Sequence, residues 1–530
     1  MSPATTIPST APDAPPRSRR TLTLVAVLLA VFVVPMSISG TAVALPDIGA
    51  DTHAGLAPLQ WVVNAFNVAF ACFTLVWGSV ADVVGRVKAF AAGVALYAAG
   101  SLASAVAGDA LLLDAARALT GIGGAAIFSC GAAILSTVFE GPSRARAFAL
   151  FGTVAGVGVA VGPSLAGALV QGLGWRWVFA AHAVALLLVL PVVPAIARAV
   201  PVHGGGGRID VPGSALFVVA MVLLTTAIVQ GSQWGWGSPG VLGLLAAALA
   251  ALAVFVAVER RSAHPMLDLG VLRERRFLGL CLVPVAASFG FVTLLTYLPS
   301  YLTAVTGRDA GTAGLLMLLL TAPVLVCPMV AARLVGRGIR PLTLIGLSLV
   351  CLVLGDLALT LLSPSAGVLV LAAPMLVTGA GMGLSAGLVD GQALALVDPA
   401  KAGMAAGFLN TLRLGSEAVA VAVYGSALAT VLGRRVSDGI GDGIGGGGYP
   451  GAGNAARVAE QAAGGDLAGA AALSGATDRT GFAGFLTRAY DSAFHSVLWG
   501  LVAVGLVLAV VIAALLRGGR DTEGVVGASR

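Results

Sequence analysis

Gly78-Ser79-Val80-Ala81-Asp82-Val83-Val84-Gly85-Arg86-Val87-Lys88 is a short charged turn joining two long apolar runs, near Leu59–Ala81 and Ala89–Ala107. Each run has about 20 residues, the length that crosses a hydrocarbon layer of roughly 30 Å as a helix. The turn's glycines allow the chain to approach a neighbour closely. Asp82 beside Arg86 can supply a charge-assisted contact that forms in one arrangement and breaks in another. Two readings are open at this point: a conformational latch at Gly78, Asp82, Gly85 and Arg86, or a cytoplasmic loop whose basic residues only fix topology.

The remainder of the sequence repeats this pattern. It is 58% hydrophobic and 10% charged, outside the range of a soluble domain. About fourteen apolar runs are long enough to span a membrane. In lipid every backbone polar group must be satisfied within its own segment, and period-2 alternation is weak, so the spans read as helices rather than barrel strands. The expected fold is an all-α polytopic membrane protein of two six-helix bundles with two extra central helices. Residues 1–20 read as a disordered cytoplasmic tail, 21–199 as the N-terminal bundle, 200–260 as the two additional helices, 261–517 as the C-terminal bundle and 518–530 as a second tail. Within the last bundle, residues 433–491 are rich in Gly and Ala and predict a flexible outer loop, with short helical turns around Ala455–Ala472 compatible with that composition.

The net charge of +6 suits loops facing an anionic leaflet and gives no reason to expect a nucleic-acid partner. Lys and Arg collect in alternate short loops, among them Arg86 and Lys88, Arg144 and Arg146, Arg260 and Arg261, and Arg333, Arg337 and Arg340. That face is expected to be cytoplasmic, with both termini on it. The turn at Arg333–Arg340 occupies in the second bundle the place that Gly78–Lys88 occupies in the first, which suggests a parallel internal repeat with a substrate site between the halves. Cys72, Cys130, Cys281, Cys327 and Cys351 all fall in apolar runs without a CxxC pair, so no disulfide framework or metal site is expected.

Gly78 to Lys88 resembles the cytoplasmic loop motif of the major facilitator superfamily, and the chain as a whole is similar to its fourteen-helix drug:proton antiporter branch. Leu113, Arg117, Gly121, Gly123, Gly124, Ala125 and Ala126 match the superfamily's fourth-helix motif, with Thr120 where Gln is frequent. Gly158-Val159-Ala160-Val161-Gly162-Pro163-Ser164-Leu165-Ala166-Gly167 resembles the exporter motif of the fifth helix; Gly158, Gly162, Pro163 and Gly167 fit, and Ala166 departs from it. Gly174–Phe179 and Gly403–Arg413 are further similar passages. The end of the first helix reads Ser37-Ile38-Ser39-Gly40-Thr41-Ala42, without the Asp that this branch commonly carries there.

Charges inside spans are expensive and are functional candidates by default. Glu417, Asp390 and Asp356 are the candidates for proton coupling, and Arg117, Asn410 and Arg413 for lining or gating the cavity. Asn410, Arg413 and Glu417 share one helix face. A carboxyl desolvated there takes up a proton and releases it as access alternates, unless Glu417 is fixed in an intrahelical pair with Arg413. Asp114 and Arg117 are expected to pair similarly, Asp390 to have no local partner, and Asp356 to lie near the outer end, open to water. His182 reads as packed. No phosphate-binding loop is present, so the expectation is transport without a cofactor, driven by the proton gradient. The partners are a small amphipathic substrate, protons and the lipid bilayer, with the protein a monomer and not an enzyme. The alternatives are a proton-coupled importer of a small metabolite and a non-transporting scaffold or sensor.

Overall fold

The computed structural model describes residues 17–53, 56–200, 209–262, 265–308, 310–364, 367–441, 454–463 and 465–517. Most of both predicted tails, and Gly445–Gly448, lie outside the described residues. No strand occurs among the described residues, and fourteen helices are long and apolar enough to cross a membrane. The chain is a multi-pass membrane protein.

The first six spans are α1 (Arg17–Thr52), α2 (Leu56–Val84), α3 (Arg86–Val106), α4 (Ala110–Val138), α5 (Gly141–Leu173) and α6 (Arg176–Leu187), the last continuing through a 3-10 turn into α7 (Val193–Ala197). The extra pair is α8 (Val211–Trp234) and α9 (Pro239–Glu259). Then come α10 (Arg275–Ala287), a π-helical turn at Ser288–Val292 and α11 (Thr293–Ala304), which together make one span, followed by α12 (Ala310–Gly336) and α13 (Pro341–Leu359). α14 (Val368–Ser385) and α15 (Leu388–Ala395) form the next span. α16 (Ala402–Gly441) and α19 (Arg479–Arg517) are the last two, with α17 (Ala455–Ala463) and α18 (Leu467–Ser474) between them.

Several described turns between these helices have a local cause. Asp109 caps α4 by accepting from Leu112 N at 2.9 Å, and Asp210 caps α8 by accepting from Gly213 N at 2.8 Å. Gly85, at φ 104°, turns the chain from α2 into α3 in a conformation that a side chain would oppose.

Where residues 433–491 are described, they are packed rather than flexible, and the short helical turns expected around Ala455–Ala472 are present as α17 and α18. α16 continues to Gly441, and α17, α18 and the start of α19 fold back on it. Val458, Ala462, Leu467 and Ala470 are buried with Leu432, Val436 and Phe482 in one apolar cluster. Alanine-rich composition reads as flexible, yet Ala is the best helix former, and here it also packs closely.

The extra helices lie over the seam between the bundles. α8 packs on both α2 and α16, and Cys72 and Leu75 of α2 share a buried cluster with Phe217, Met221, Phe255, Met266, Leu267 and Met404. At the end of that pair Asp268 meets Lys401 at 2.5 Å, both partly exposed. The Lys401 hydrogen bond holds the Asp268 carboxyl below its ordinary range, opposed by partial burial and aided by the Gly270 N–H. A depressed pKa means that the pair's contribution is present at neutral pH and is lost as pH falls below the free carboxylate value of about 3.9. Asp268→Asn should therefore lower stability by under about 1 kcal/mol at neutral pH, less in high salt, and change nothing in strong acid. Thermal melts across pH check this.

Candidate functional site

The turn quoted at the outset closes one face of the molecule, the face carrying the clustered Lys and Arg. Asp82 Oδ1 accepts from Gly403 N at 3.0 Å and Oδ2 from Met404 N at 2.8 Å. Both donors lie in the first turn of α16, where backbone N–H groups have no partner in their own helix and an anion is favoured. Arg86, 3% exposed, reaches Asp82 at 3.4 Å and donates to Thr137 Oγ1 and to the carbonyl of Pro399. The latch thus ties the N-terminal bundle to the C-terminal one. A Cβ on Gly78 would lie 2.9 Å from the Gly403 carbonyl carbon, and one on Gly407 would lie 2.6 Å from Thr74 O. Only glycine permits backbones this close. The matching turn at Arg333–Arg340 makes no such latch. Arg333, Gly336, Arg337 and Arg340 are exposed, and that turn has no acidic residue.

α5 serves both halves. Toward the basic face Gly156 faces Leu325 of α12, and Thr153 Oγ1 donates to Leu325 O at 3.5 Å. Farther along, α5 lies against α1: a Cβ on Gly158 would stand 2.6 Å from Phe32 O, and one on Gly162 2.6 Å from Met36 O. Gly167 differs, since its Cβ would meet only Val43 Cγ1, at an ordinary 3.8 Å. Pro163 sits inside the helix one residue after Gly162 and removes a backbone donor there. Gly162→Ala should destabilise by about 1–3 kcal/mol through forced separation of α1 and α5, whereas Gly167→Ala should be close to neutral. Melting temperatures of the two purified variants test the contrast.

At mid-depth the charged groups are arranged differently from expectation. Arg413 donates through Nη2 to both oxygens of Asp390, at 3.0 and 2.8 Å, and through Nη1 to Asn410 Oδ1 at 2.9 Å. Asp390 therefore has a partner, and the partner is Arg413. Glu417, one turn beyond Arg413, forms no hydrogen bond or ion pair with it, so the intrahelical Glu417–Arg413 pair is not made. Every residue from Leu412 to Val419 is half-exposed, whichever side of α16 it faces, so this part of the helix runs beside open space.

A model described as the Major Facilitator Superfamily matches residues 27–421. The chain belongs to the Major Facilitator Superfamily. It is a transporter and not an enzyme. It is 33% identical to the multidrug resistance protein Stp of Mycobacterium tuberculosis over 78% of this chain and 76% of that protein. It is also 33% identical to the puromycin resistance protein pur8 of Streptomyces alboniger, over 77% of this chain and 82% of that one. With the cephamycin export protein CmcT of Amycolatopsis lactamdurans the identity is 32%, over 79% and 86%. Among solved structures, the human organic anion transporter MFSD10 superposes with a TM-score of 0.58 at 14% identity, covering 93% of this chain and all of that one. That likeness shows the fold alone.

Within this superfamily fold the other predicted residues fall as follows. Arg117 is fully buried: Nε donates to Val62 O and Nη1 to Ser37 Oγ, both at 3.0 Å, with the guanidinium 4.5 Å from the Phe66 ring centre. It lines no open cavity, and it does not pair with Asp114, which lies on the same helix. Ser37 of α1 supplies the acceptor. His182 is 3% exposed and packed as expected, in the wall of a narrow cleft with Met36, Gly162 and Val178. Asp356 is 1% exposed rather than open to water, because α13 turns that side chain toward α14 and the π-helical turn. Sequence reading missed Gly403, Met404 and Pro399 as the receiving side of the latch. The spacing Gly403-xxx-Gly407 behind a Pro-initiated turn was the available signal.

Proposed function

We propose that the chain is a proton-coupled antiporter that exports small amphipathic drugs or antibiotics across the cytoplasmic membrane by alternating access. The observation that carries this reading is Glu417, an intramembrane carboxyl beside open space whose nearest cation, Arg413, is already bound to Asp390 and Asn410. A carboxyl without a bound cation is free to exchange a proton, and an Arg clamped elsewhere leaves it so. The relatives' names, which speak of multidrug and puromycin resistance and of cephamycin export, support export as the direction and amphipathic compounds as the cargo.

The basic face is cytoplasmic in this reading, and both termini lie on it. The latch among Asp82, Arg86 and the start of α16 is then the inner gate in its closed form. The two bundles rock about the glycine-lined contacts, and α5 exchanges its partners α1 and α12 as they do. One proton moving down 100 mV supplies about 2.3 kcal/mol, enough for roughly a fifty-fold gradient of a neutral compound. No resident cofactor is needed, and a monomer contains the whole path.

Inside-out vesicles energised by respiration should accumulate a fluorescent dye such as ethidium, and an uncoupler should release it. Uptake of the compound by intact cells would replace this reading with an importer. No flux in either direction, across a panel of amphipathic dyes, would replace it with a scaffold or sensor.

A further inference from the structure

α2 is shielded along nearly its whole length. Between Trp61 and Val83 every residue is buried or half-buried except Asn67, which is exposed. Asn64, one turn nearer the outer end of the helix, is half-exposed. Neither amide makes a hydrogen bond among the described residues. A gap that opened onto lipid would be filled by an apolar side chain, as at Val423 of α16, because a bare amide in hydrocarbon has no partner for its polar atoms. The space that meets Asn67 therefore holds water.

The helix face on which Asn67 lies identifies that space. Thr74 and Gly78 follow it at seven and eleven residues, so the three share one face. That face meets α16: Gly78 packs on Gly403, and a Cβ on Gly407 would stand 2.6 Å from Thr74 O. α2 runs toward the basic face and α16 away from it, so the two are antiparallel. Continuing their pairing outward brings Asn67 level with Leu414, and Asn64 level with Glu417. At the latch the backbones touch; at this level they stand apart, since Asn67 is exposed and every residue from Leu412 to Val419 is half-exposed. A wedge-shaped cleft results, closed toward the basic face, with two amides on one wall and Leu414, Glu417 and Ala418 on the other.

An uncharged amide offers two N–H donors and a carbonyl acceptor. Side chains three residues apart on a helix have Cβ atoms about 5–6 Å apart, close enough for both to bind one molecule. Leu414 and Ala418 present apolar surface opposite them. We propose that Asn64 and Asn67 form the polar wall of the substrate site and select compounds that carry neutral carbonyl or hydroxyl groups on an apolar frame. The assignment rests on the exporter reading for its cargo and adds to it the chemistry by which cargo is chosen.

Two planar fluorescent probes test it, on the purified full-length chain in lipid nanodiscs: doxorubicin, which carries carbonyl and hydroxyl groups, and ethidium, which carries neither. Leucine has nearly the size of asparagine and no polar atom. Asn67→Leu should weaken doxorubicin binding about three- to tenfold and leave ethidium within a factor of about two, with Asn64→Leu acting in the same direction. Equal effects on both probes, no effect on either, or no binding of doxorubicin to the wild type would overturn the proposal. Asn67→Cys gives a second measurement that does not depend on the leucine variants folding. Its thiol should react with a charged maleimide added from the outer face, above the background of the native cysteines, because water permits the thiolate. Doxorubicin should slow that reaction. A thiol that stays unlabelled, or one labelled at the same rate with doxorubicin present, overturns the proposal equally. Probe-selective binding in a protein that moves no dye across the membrane would defeat the exporter reading and keep the site. Normal export with binding indifferent to Asn64 and Asn67 would do the reverse, so the two failures are distinguishable.

Discussion

Glu417→Gln abolishes proton-driven export and leaves a folded protein that still binds its substrate: this is the expected result with the largest effect. Glutamine keeps the shape and polarity of the side chain but cannot take up or release a proton. Because Glu417 makes no hydrogen bond or ion pair with Arg413 among the described contacts, its replacement breaks no formed bond and should cost the fold little. The gradient sustained by one proton at 100 mV, roughly fifty-fold, should fall to none. Flow down the substrate's own gradient should persist. Asp390→Asn is the instructive contrast. It removes the carboxylate that holds Arg413 in a partly buried, charge-assisted pair, so it should destabilise the protein by about 1.5–3 kcal/mol rather than uncouple it. Dye efflux, equilibrium binding and thermal melts on both variants separate loss of coupling from loss of fold.

The second large effect concerns the latch. Asp82→Asn removes a charge that satisfies two backbone N–H groups at the start of α16 and leaves an amide that can accept from only one of them. Hydrogen bonds to a charged acceptor contribute about 1.5–3 kcal/mol, so the ratio of closed to open inner gate should fall about ten- to hundredfold. Arg86 would keep its bonds to Thr137 and Pro399, which is why the closed form should weaken without vanishing. Turnover should slow, since the gate must close in every cycle, while substrate binding from the cytoplasmic side should strengthen. Pulsed electron-resonance distances between spin labels at the basic ends of α4 and α12 would report the shift directly.

The fold was legible because a bilayer allows few solutions. Apolar runs of about 20 residues, punctuated by short basic loops, are enough to specify helices and their number. The latch was legible as a turn, from Gly78, Asp82, Gly85 and Arg86. Its receiving side was harder to read, because the donors are backbone N–H groups of Gly403 and Met404, marked only by the Gly403-xxx-Gly407 spacing and more than 300 residues away in the chain. The Asp390–Arg413 pair was hidden for a different reason, since its partners are only 23 residues apart but sit on separate helices. Intrahelical spacing pointed to Glu417 and Arg413, whereas the contact that forms links two different helices, with the guanidinium meeting the carboxylate on both oxygens. Asp356 was misplaced for another reason. Its position along the apolar run gives depth but says nothing about which way the helix faces, and it faces inward. The region 433–491 shows the limit of composition: Gly and Ala suggest flexibility until Val458, Ala462 and Leu467 are seen to pack against α16 and α19.

Ser37 bears on the coupling route. It belongs to the acid-free stretch Ser37–Ala42 of α1, and it is spent as an acceptor for the buried Arg117. The N-terminal bundle thus offers no carboxyl at that point, and the antiporter reading proposed above accordingly rests on Glu417 of α16.

Proton movement on adding substrate to the reconstituted protein tests the central claim most directly. In liposomes with a trapped pH dye and the chain in a known orientation, substrate added on the cytoplasmic side should drive protons the opposite way, and Glu417→Gln should abolish the signal at unchanged binding affinity. Substrate transport with no accompanying proton movement in the wild type, or an undiminished proton signal in Glu417→Gln, would contradict it.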